Sequence, residues 1–372
     1  MTQQYSTTPL LPPRLARELS IVRQVGQCSR SDLHRQMDCR KNTIGQDAAT
    51  LIQMGLLRES SLHLKPRGRP SMHLEIDPQK RHVLGLSITP GQVNCERYNL
   101  LGQSMGVAKN VSTSDPSTLI PTARKLLKKM LTPQTLFTGL ALPGTLDLSD
   151  RKILFSAAWP DGKQVSLKPL DKVTNSLLAI DNLTNALATR WLLEHASWPQ
   201  NDHLIIFISD GMLGATLLVD GHPLKGCVVS SNELGHTRLP VHTPLCYCGQ
   251  QGCLERIFST PYYKQLGGKG KLTTALTKPK HDDAIVQMTD HLAMGLSNAV
   301  NFCRPTHVTL MTDMPTTKTY MDHLLEQIRK RLLREFANRI QMHLWIDPQS
   351  QPAANGGALA LANLYFPNVS DS

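Results

Sequence analysis

Residues 233–255 read ELGHTRLPVHTPLCYCGQQGCLE and place His236, Cys246, Cys248 and Cys253 within eighteen residues. Three thiolates and one imidazole are the ligand set of a closed tetrahedral zinc site, which leaves no coordination position for a catalytic water. Glycines between the three cysteines allow the tight turns that such spacing requires. We therefore predict a structural Zn²⁺ site here. The alternative is a group of ordinary reduced cysteines beside a surface histidine.

The length and composition of the chain limit the class of protein. At 372 residues it has room for two or three domains and a sizeable core. Its eight cysteines leave five, an odd number, outside the zinc candidates, which fits free thiols better than a disulfide framework. The N-terminal MTQQYSTTPLLPP has no basic segment before an apolar one, and no run of about 18 apolar residues occurs. We expect a cytoplasmic protein with no signal peptide and no membrane insertion.

The formal net charge of +11 is distributed unevenly. Residues 1–70 contain 11 Lys and Arg against 5 Asp and Glu, a surplus of +6 in less than a fifth of the chain. A basic terminal segment favours a polyanionic partner, because contacts with phosphates release counterions and supply affinity. Solvated basic helices are also common, so charge alone does not decide between the two.

The order of elements in the first 60 residues favours DNA as that partner. Apolar residues recur at helical spacing in residues 13–26, and Ser29-x-x-Asp32 is a capping signal for a second, short helix. A third amphipathic helix follows a break near residue 39, which predicts a helix-turn-helix whose third helix enters the major groove. The alternative is a plain three-helix bundle. The residues expected to contact bases or phosphates are Arg40, Lys41, Asn42, Thr43 and Gln46.

Residues 62–76, LHLKPRGRPSMHLEI, predict two short strands around a Pro-Arg-Gly-Arg-Pro tip, which is the pattern of a wing. Arginines on a rigid tip suit a narrow minor groove, whose potential attracts guanidinium groups. We therefore predict DNA contacts from Arg67, Gly68 and Arg69. A solvated hairpin is the alternative.

From about residue 80 strands alternate with helices, which predicts α/β layers. Strands are expected over 81–88, 135–142, 203–221, 307–313 and 342–347, and helices over 117–131 and 321–336. The stripe Leu325, Ile328, Leu332 and Phe336 is expected to face the core.

The segment Glu233-Leu234-Gly235-His236, with Cys-Tyr-Cys-Gly-x-x-Gly-Cys-Leu-Glu beginning ten residues after the histidine, resembles the ROK family, whose name joins repressors, open reading frames and sugar kinases. The match is close here and weaker over the rest of the chain. The repressor branch carries a winged helix-turn-helix ahead of a sugar-kinase-like body, the order seen here. The resemblance implies an α/β protein with that winged helix at 1–80 and two actin-like (ribonuclease-H-like) lobes at 81–190 and 191–354, the first completed by a C-terminal helix at 355–372. It also implies a cleft between the lobes and a homodimer or homotetramer.

The same resemblance implies a sugar site. Glu233, His236 and Glu255 match sugar-contacting positions, and Asn182 matches the asparagine before the catalytic aspartate. Sugar hydroxyls both donate and accept hydrogen bonds, so carboxylates and amides suit them. His236 could bind zinc through one ring nitrogen and face the sugar with the other.

Kinase activity is not expected, because several positions depart from the family pattern. Phosphoryl transfer needs positioned phosphates, a metal and a base. Where the kinases have Asp-x-Gly-Gly-Thr this chain has Ser87-Ile88-Thr89-Pro90-Gly91, and where they have the catalytic aspartate it has Leu183. A later glycine pair is replaced in Met311-Thr312-Asp313, and a Pro-Asn pair is replaced by Ala157-Ala158, which removes an amide from the sugar site.

We therefore predict a non-enzymatic, sequence-specific regulator, in the first instance a repressor, of carbohydrate uptake or metabolism genes. Its partner is a double-stranded DNA operator, and its degenerate kinase body senses a sugar or sugar phosphate. Two alternatives remain: a body controlled by a protein regulator without a small ligand, and an active ROK sugar kinase with an added DNA-binding arm.

Overall fold

The computed structural model describes residues 11–62, 71–156, 158–159, 162–174, 178–195, 202–219, 222–224, 233–314, 318–346 and 350–366. The chain divides into two compact units, Met1–Ser197 with Pro352–Ser372, and Trp198–Gln351. The predicted wing tip, Arg67, Gly68 and Arg69, lies outside the described residues, as does Ala157. In the part of the chain that is described, no helix combines the length and apolar character needed to cross a bilayer.

The N-terminal segment contains the three predicted helices and a small antiparallel sheet. Ser29 and Asp32 form the predicted capping box, in which each side chain bonds the other's backbone N–H. The elements are α1 (Pro13–Val25), β1 (Gln27–Cys28), α2 (Arg30–Met37), α3 (Lys41–Gln53), β2 (Leu57–Leu62) and β3 (Ser71–Ile76), with strand order β1-β3-β2.

The hairpin of this sheet begins earlier than the sequence pattern suggested. Leu57 pairs with Ile76 and Leu62 with Ser71, so β2 occupies 57–62. The buried Leu57 explains the difference, because its pairing with the buried Ile76 fixes the register toward the core. The two residues of β1 add a third strand that the sequence analysis did not predict.

The first lobe is a five-stranded mixed sheet, ordered β11-β7-β4-β5-β6, with a smaller sheet ordered β10-β9-β8. Buried apolar residues of β4 and β7 form its centre. Its elements are β4 (His82–Thr89), β5 (Gln92–Asn99), β6 (Ser104–Ser112), α4 (Leu119–Met130), β7 (Thr135–Leu142), β8 (Thr145–Asp147), β9 (Lys152–Phe155), β10 (Val165–Ser166), α5 (Lys168–Thr174), β11 (Leu178–Asn182) and α6 (Leu183–Glu194).

The second unit has its own five-stranded sheet, ordered β14-β13-β12-β15-β16, in which β12, β15 and β16 are parallel. The predicted apolar stripe packs on this core, although the single helix expected over 321–336 is interrupted after Lys330. Its elements are β12 (His203–Ser209), β13 (Met212–Val219), β14 (His222–Pro223), α7 (Leu254–Ile257), α8 (Thr260–Gln265), α9 (Leu272–Ala275), α10 (Asp283–Cys303), β15 (His307–Thr312), α11 (Lys318–Lys330), α12 (Arg334–Ala337) and β16 (Gln341–Ile346).

The chain then returns to the first lobe as helix α13 (Pro352–Tyr365). Two glycines let this helix lie directly on the sheet. A Cβ on Gly85 of β4 would stand 2.0 Å from the carbonyl oxygen of Ala353, and one on Gly139 of β7 would stand 1.9 Å from that of Gly356. Backbone contact this close is open only to glycine.

The N-terminal segment shares its core with the first lobe. Leu19 and Val22 of α1 belong to the same buried apolar cluster as Leu100, Leu364 and Tyr365. The boundary expected at residue 80 therefore does not separate two cores, and the division of the first compact unit into two domains stays a prediction.

Candidate metal centre and DNA-binding surface

The four predicted metal ligands lie together. The donor atoms of His236, Cys246, Cys248 and Cys253 are all within 4.8 Å of one another. Sγ of Cys248 is 3.6 Å from Sγ of Cys253, and Sγ of Cys246 is 3.7 Å from Nδ1 of His236. Zn–S bonds of about 2.3 Å place tetrahedral ligands about 3.8 Å apart, so the donor set fits zinc and these two separations match its geometry.

Tight backbone turns bring the cysteines to these positions. The N–H of Cys246 donates to the carbonyl of Gln250, and the N–H of Gly249 donates to that of Cys246, both at 2.9 Å. Gly252 has a φ of +84°, and a Cβ there would stand 2.3 Å from the carbonyl oxygen of Leu239. Gly252, directly before the third cysteine, is therefore required by the fold of the loop.

A buried carboxyl group and a phenol lie against the cluster. Glu255 is only 3% exposed, and its two oxygens accept hydrogen bonds from Sγ of Cys246 at 2.8 Å and from the hydroxyl of Tyr247 at 3.3 Å. Burial raises the pKa of Glu255 and that of the Cys246 thiol. Tyr247 was not among the predicted site residues, although its place between two ligand cysteines was a signal for it.

The two ring nitrogens of His236 face different groups. Nδ1 is directed at Cys246, whereas Nε2 lies 3.2 Å from the Tyr247 hydroxyl and 3.9 Å from Oε2 of Glu233. The structure thus brings Glu233 and Glu255 together beside His236 and the three cysteines. Asn182 belongs to the other compact unit, where its Oδ1 accepts the N–H of Asn185 and caps α6.

The residues at positions that resemble kinase motifs take part in helix capping and core packing. Leu183 is the first residue of α6 and is 7% exposed. The neighbouring Asp181 accepts hydrogen bonds from the backbone of Asn182 and from Nδ2 of Asn185, both at 2.8 Å. Ala158 is 2% exposed and packs in the apolar core of the first lobe. At the position that resembles the catalytic aspartate, the side chain is that of a leucine.

The predicted DNA-contacting residues form the exposed side of α3. Arg40 precedes the helix as its N-cap; Arg40, Lys41, Asn42 and Gln46 are exposed, and Thr43 is half-buried. On the other side Ile44, Ala48 and Leu51 are fully buried. The helix therefore presents polar and basic side chains on the face that the sequence pattern indicated.

A group of charged residues holds α3 against α1. Arg14 of α1 makes an ion pair with the nearly buried Asp47 of α3. Glu18 is fully buried beside them, and neither of its oxygens accepts a hydrogen bond within the described structure. Burial, together with the nearby charge of Asp47, raises the pKa of Glu18 to about 7.

Comparisons with known sequences point to one family. A family model described as "ROK family" matches residues 100–364. The DNA-binding transcriptional repressor Mlc of Escherichia coli K12 is 26% identical over 255 residues, which are 64% of this chain and 61% of that protein. The xylose repressor of Caldicellulosiruptor bescii is 24% identical over 315 residues, which are 74% of this chain and 77% of that protein. The chain thus matches less than two thirds of the length of Mlc.

Solved structures with the same fold include both regulators and kinases. A ROK family transcriptional regulator, a homologue of the E. coli Mlc protein, superposes with a TM-score of 0.76 at 20% identity, over 94% of this chain and 96% of that one. A ROK family glucokinase from Streptomyces griseus, in complex with glucose and AMPPNP, gives 0.59 at 18% identity, over 75% of this chain and 98% of that one. These likenesses establish the actin-like α/β fold of ROK family proteins for the body of the chain.

Proposed function

The chain belongs to the ROK family, and on that premise we propose that it is a sequence-specific DNA-binding transcriptional repressor of carbohydrate uptake or metabolism genes. The observation that carries the proposal is the exposed side of α3. Arg40 at the N-cap, together with Lys41, Asn42 and Gln46, is exposed to solvent, whereas the apolar side of the helix is fully buried. A rigidly held helix with exposed basic and amide side chains at its N-terminal end suits insertion into the major groove. The repressors among the relatives support the same role.

Double-stranded operator DNA is then the principal partner. A homodimer or homotetramer would present two such helices to a pseudo-palindromic site, with Arg67, Gly68 and Arg69 reaching the adjacent minor groove. None of the seven cysteines in the described residues forms a disulfide, which suits a regulator working in the reducing cytoplasm.

We propose that the body is not a kinase. Leu183 offers no proton acceptor where the family has its general base, and loss of such a base costs about 10²–10⁴ in rate. At the end of β4, Pro90 removes a backbone donor from the turn that would approach phosphates.

We assign a structural Zn²⁺ ion to His236, Cys246, Cys248 and Cys253. Four protein ligands close the coordination sphere, so the ion would have no catalytic role. It would stabilise the folded state of a loop that has few apolar residues. The loop also holds Glu233 and Glu255, so its order would determine how these carboxylates meet an effector.

The proposed effector is a sugar or sugar phosphate that contacts Asn182, Glu233, His236 and Glu255. It would shift the population of DNA-binding and non-binding states by no more than its difference in affinity for them. A second candidate is control by a protein regulator without a small ligand. The buried Ala158 favours it, because the amide that the family uses at this position is absent.

A mobility-shift experiment with upstream fragments of the source genome tests the DNA-binding role. A sequence-selective complex at moderate salt is expected, and none would overturn the proposal. Thermal-shift measurements against sugars and sugar phosphates separate the two candidates for control, since a ligand of the folded state raises the melting temperature.

A further inference from the structure

A cavity of about 300 Å³ lies where α1 of the N-terminal segment meets the first lobe. Its walls come from α1, the turn between β5 and β6, α6 and α13. Neither the residues proposed to contact a sugar nor the four candidate metal ligands line it. The residues that matter for its chemistry are Arg23, Leu101, Arg190, Leu193, Glu194 and Leu361.

Arg23 in this cavity has a charge that the described part of the protein does not balance. One amino group donates to the carbonyl of Leu193 at 3.0 Å, and the guanidinium lies 5.0 Å from the centre of the Tyr365 ring. Its Nε is buried without a hydrogen-bond partner, and no described carboxylate forms an ion pair with it. Arginine remains protonated in proteins, so a partly buried guanidinium held only by a carbonyl and a ring is costly unless an anion joins it.

A second arginine, Arg190, lines the same cavity. Arg190 is 11% exposed, and its Nε donates to Oε1 of Glu194 at 2.6 Å. Its Nη1 lies 3.5 Å from Oδ1 of Asn355. Two guanidiniums and one carboxylate leave the lining of the cavity with one net positive charge.

We propose that this cavity binds a small organic anion, a phosphate monoester or a carboxylate, through Arg23 and Arg190. Guanidinium groups match the paired oxygens of both anions, and such charge-assisted bonds are the strong ones. Leu101, Leu193 and Leu361 provide apolar walls for a carbon skeleton. A volume of about 300 Å³ is at the lower end of the range for ligand sites, so the cavity suits a small anion.

Occupancy of the cavity would fix α1 on the body. Ser20 of α1 already donates to the carbonyl of Tyr365 at 2.6 Å, and Arg14 holds Asp47 of α3. An anion that joins Arg23 to Arg190 would therefore restrain the helix on which α3 is mounted. An effect on operator affinity rests on the proposed function, whereas binding of the anion does not.

The test uses the full chain and three probes of one size: sn-glycerol 3-phosphate, glycerate and glycerol. Titration calorimetry and thermal unfolding are measured at constant ionic strength, without DNA. We expect binding and a raised melting temperature with at least one of the two anions and neither effect with glycerol. The anion that binds more tightly identifies the phosphate or the carboxylate. Failure of both anions, or equal binding of glycerol, would overturn the proposal.

Variants locate the site. Arg23→Gln and Arg190→Gln should each weaken anion binding by about tenfold to a hundredfold, the usual effect of losing one hydrogen bond to a charged group. Arg17→Gln removes an exposed arginine from the same helix, outside the cavity, and should leave binding unchanged. Equal binding in Arg23→Gln and wild type would place the anion elsewhere.

Hydrogen exchange of the wild-type chain keeps the test valid if Arg23→Gln unfolds the segment. The anion should slow exchange in residues 11–26 and in the turn around Leu101, and unchanged exchange in both regions would contradict the proposal. Because the measurement needs no operator, a chain that binds anion but no DNA would refute the proposed function alone.

Discussion

The guanidinium of Arg14 on α1 makes two hydrogen bonds with the carboxylate of Asp47 on α3, from Nε to Oδ2 at 2.6 Å and from Nη2 to Oδ1 at 2.9 Å. The same helix α1 donates from Ser20 and Arg23 to carbonyl groups of Tyr365 and Leu193 on the first lobe. Helix α1 therefore contacts both α3, the helix proposed to read DNA, and the first lobe.

Glu18, next to this pair, should make the stability of the N-terminal segment depend on pH. Its folded-state pKa of about 7 exceeds its ordinary value near 4.5, so the folded state binds the proton more tightly than the unfolded state. The stability associated with this proton is complete below pH 4.5 and is lost as the pH rises through 7. We expect Glu18→Gln to stabilise the chain by on the order of 3 kcal/mol at pH 8 and by little at pH 5.

Denaturant titrations at the two pH values measure the difference. The exposed Glu335→Gln serves as the matched control and should change stability equally at both. An effect of Glu18→Gln that is the same at pH 5 and pH 8 would show that the buried carboxyl keeps an ordinary pKa.

Two substitutions in α3 should differ in kind. We propose that Lys41 contacts a phosphate, so Lys41→Gln should weaken binding to all sequences and lower the slope of log affinity against log salt by about 1. We propose that Gln46 contacts a base, so Gln46→Ala should cost about 1–3 kcal/mol on the preferred site only. Competition binding at two salt concentrations measures both quantities.

Lys330→Gln, an exposed lysine of the second unit, controls for the loss of one charge and should leave both quantities unchanged. If Gln46→Ala weakened all DNA sequences equally, α3 would not be the helix that reads the bases.

The site formed by His236, Cys246, Cys248 and Cys253 should bind about one zinc ion per chain, because four protein ligands complete the coordination of one ion. Cys246→Ser and Cys248→Ser should each release it, as measured by elemental analysis, and lower the melting temperature. A chelator should then destabilise the wild type but neither variant. Cys303→Ser, outside the cluster, should retain the metal. Full zinc content in both cluster variants would refute the assignment.

The purified chain should transfer no phosphate from ATP to a panel of sugars. We expect Leu183→Asp alone to remain inactive, because Pro90 and Ser87 still leave the phosphate-binding turn of β4 unsuited to nucleotide. A ROK glucokinase assayed in parallel verifies the coupled assay. Measurable turnover by the wild type, particularly if Asp181→Asn removed it, would show that the chain is an active sugar kinase.

The N-terminal helices and the metal loop could be predicted because their signals are local. The capping box of Ser29 and Asp32 marks the start of α2, and Cys-Tyr-Cys-Gly-x-x-Gly-Cys contains both ligands and turns within eight residues. Helix α10 was missed although its signal was present. Its buried Ile285, Met288 and Leu292 recur at helical spacing.

Other features depend on residues distant in sequence and could not be predicted. Strand β1 has two residues, too few for any periodicity, and exists because Gln27 pairs with Glu75. The cavity joins Arg23 to residues 190 and 361, which no local pattern connects. The break after Lys330 has no glycine or proline to mark it, so the apolar pattern predicts one continuous helix over 321–336.

Selection of bound DNA from a random library by the full chain, at moderate salt, tests the central claim most directly. A sequence-specific regulator should enrich one motif with two related halves about one helical turn apart, and Gln46→Ala should relax the preference at one position of each half. A library that remains random after repeated rounds, with wild-type protein that is folded and loaded with zinc, would contradict the account.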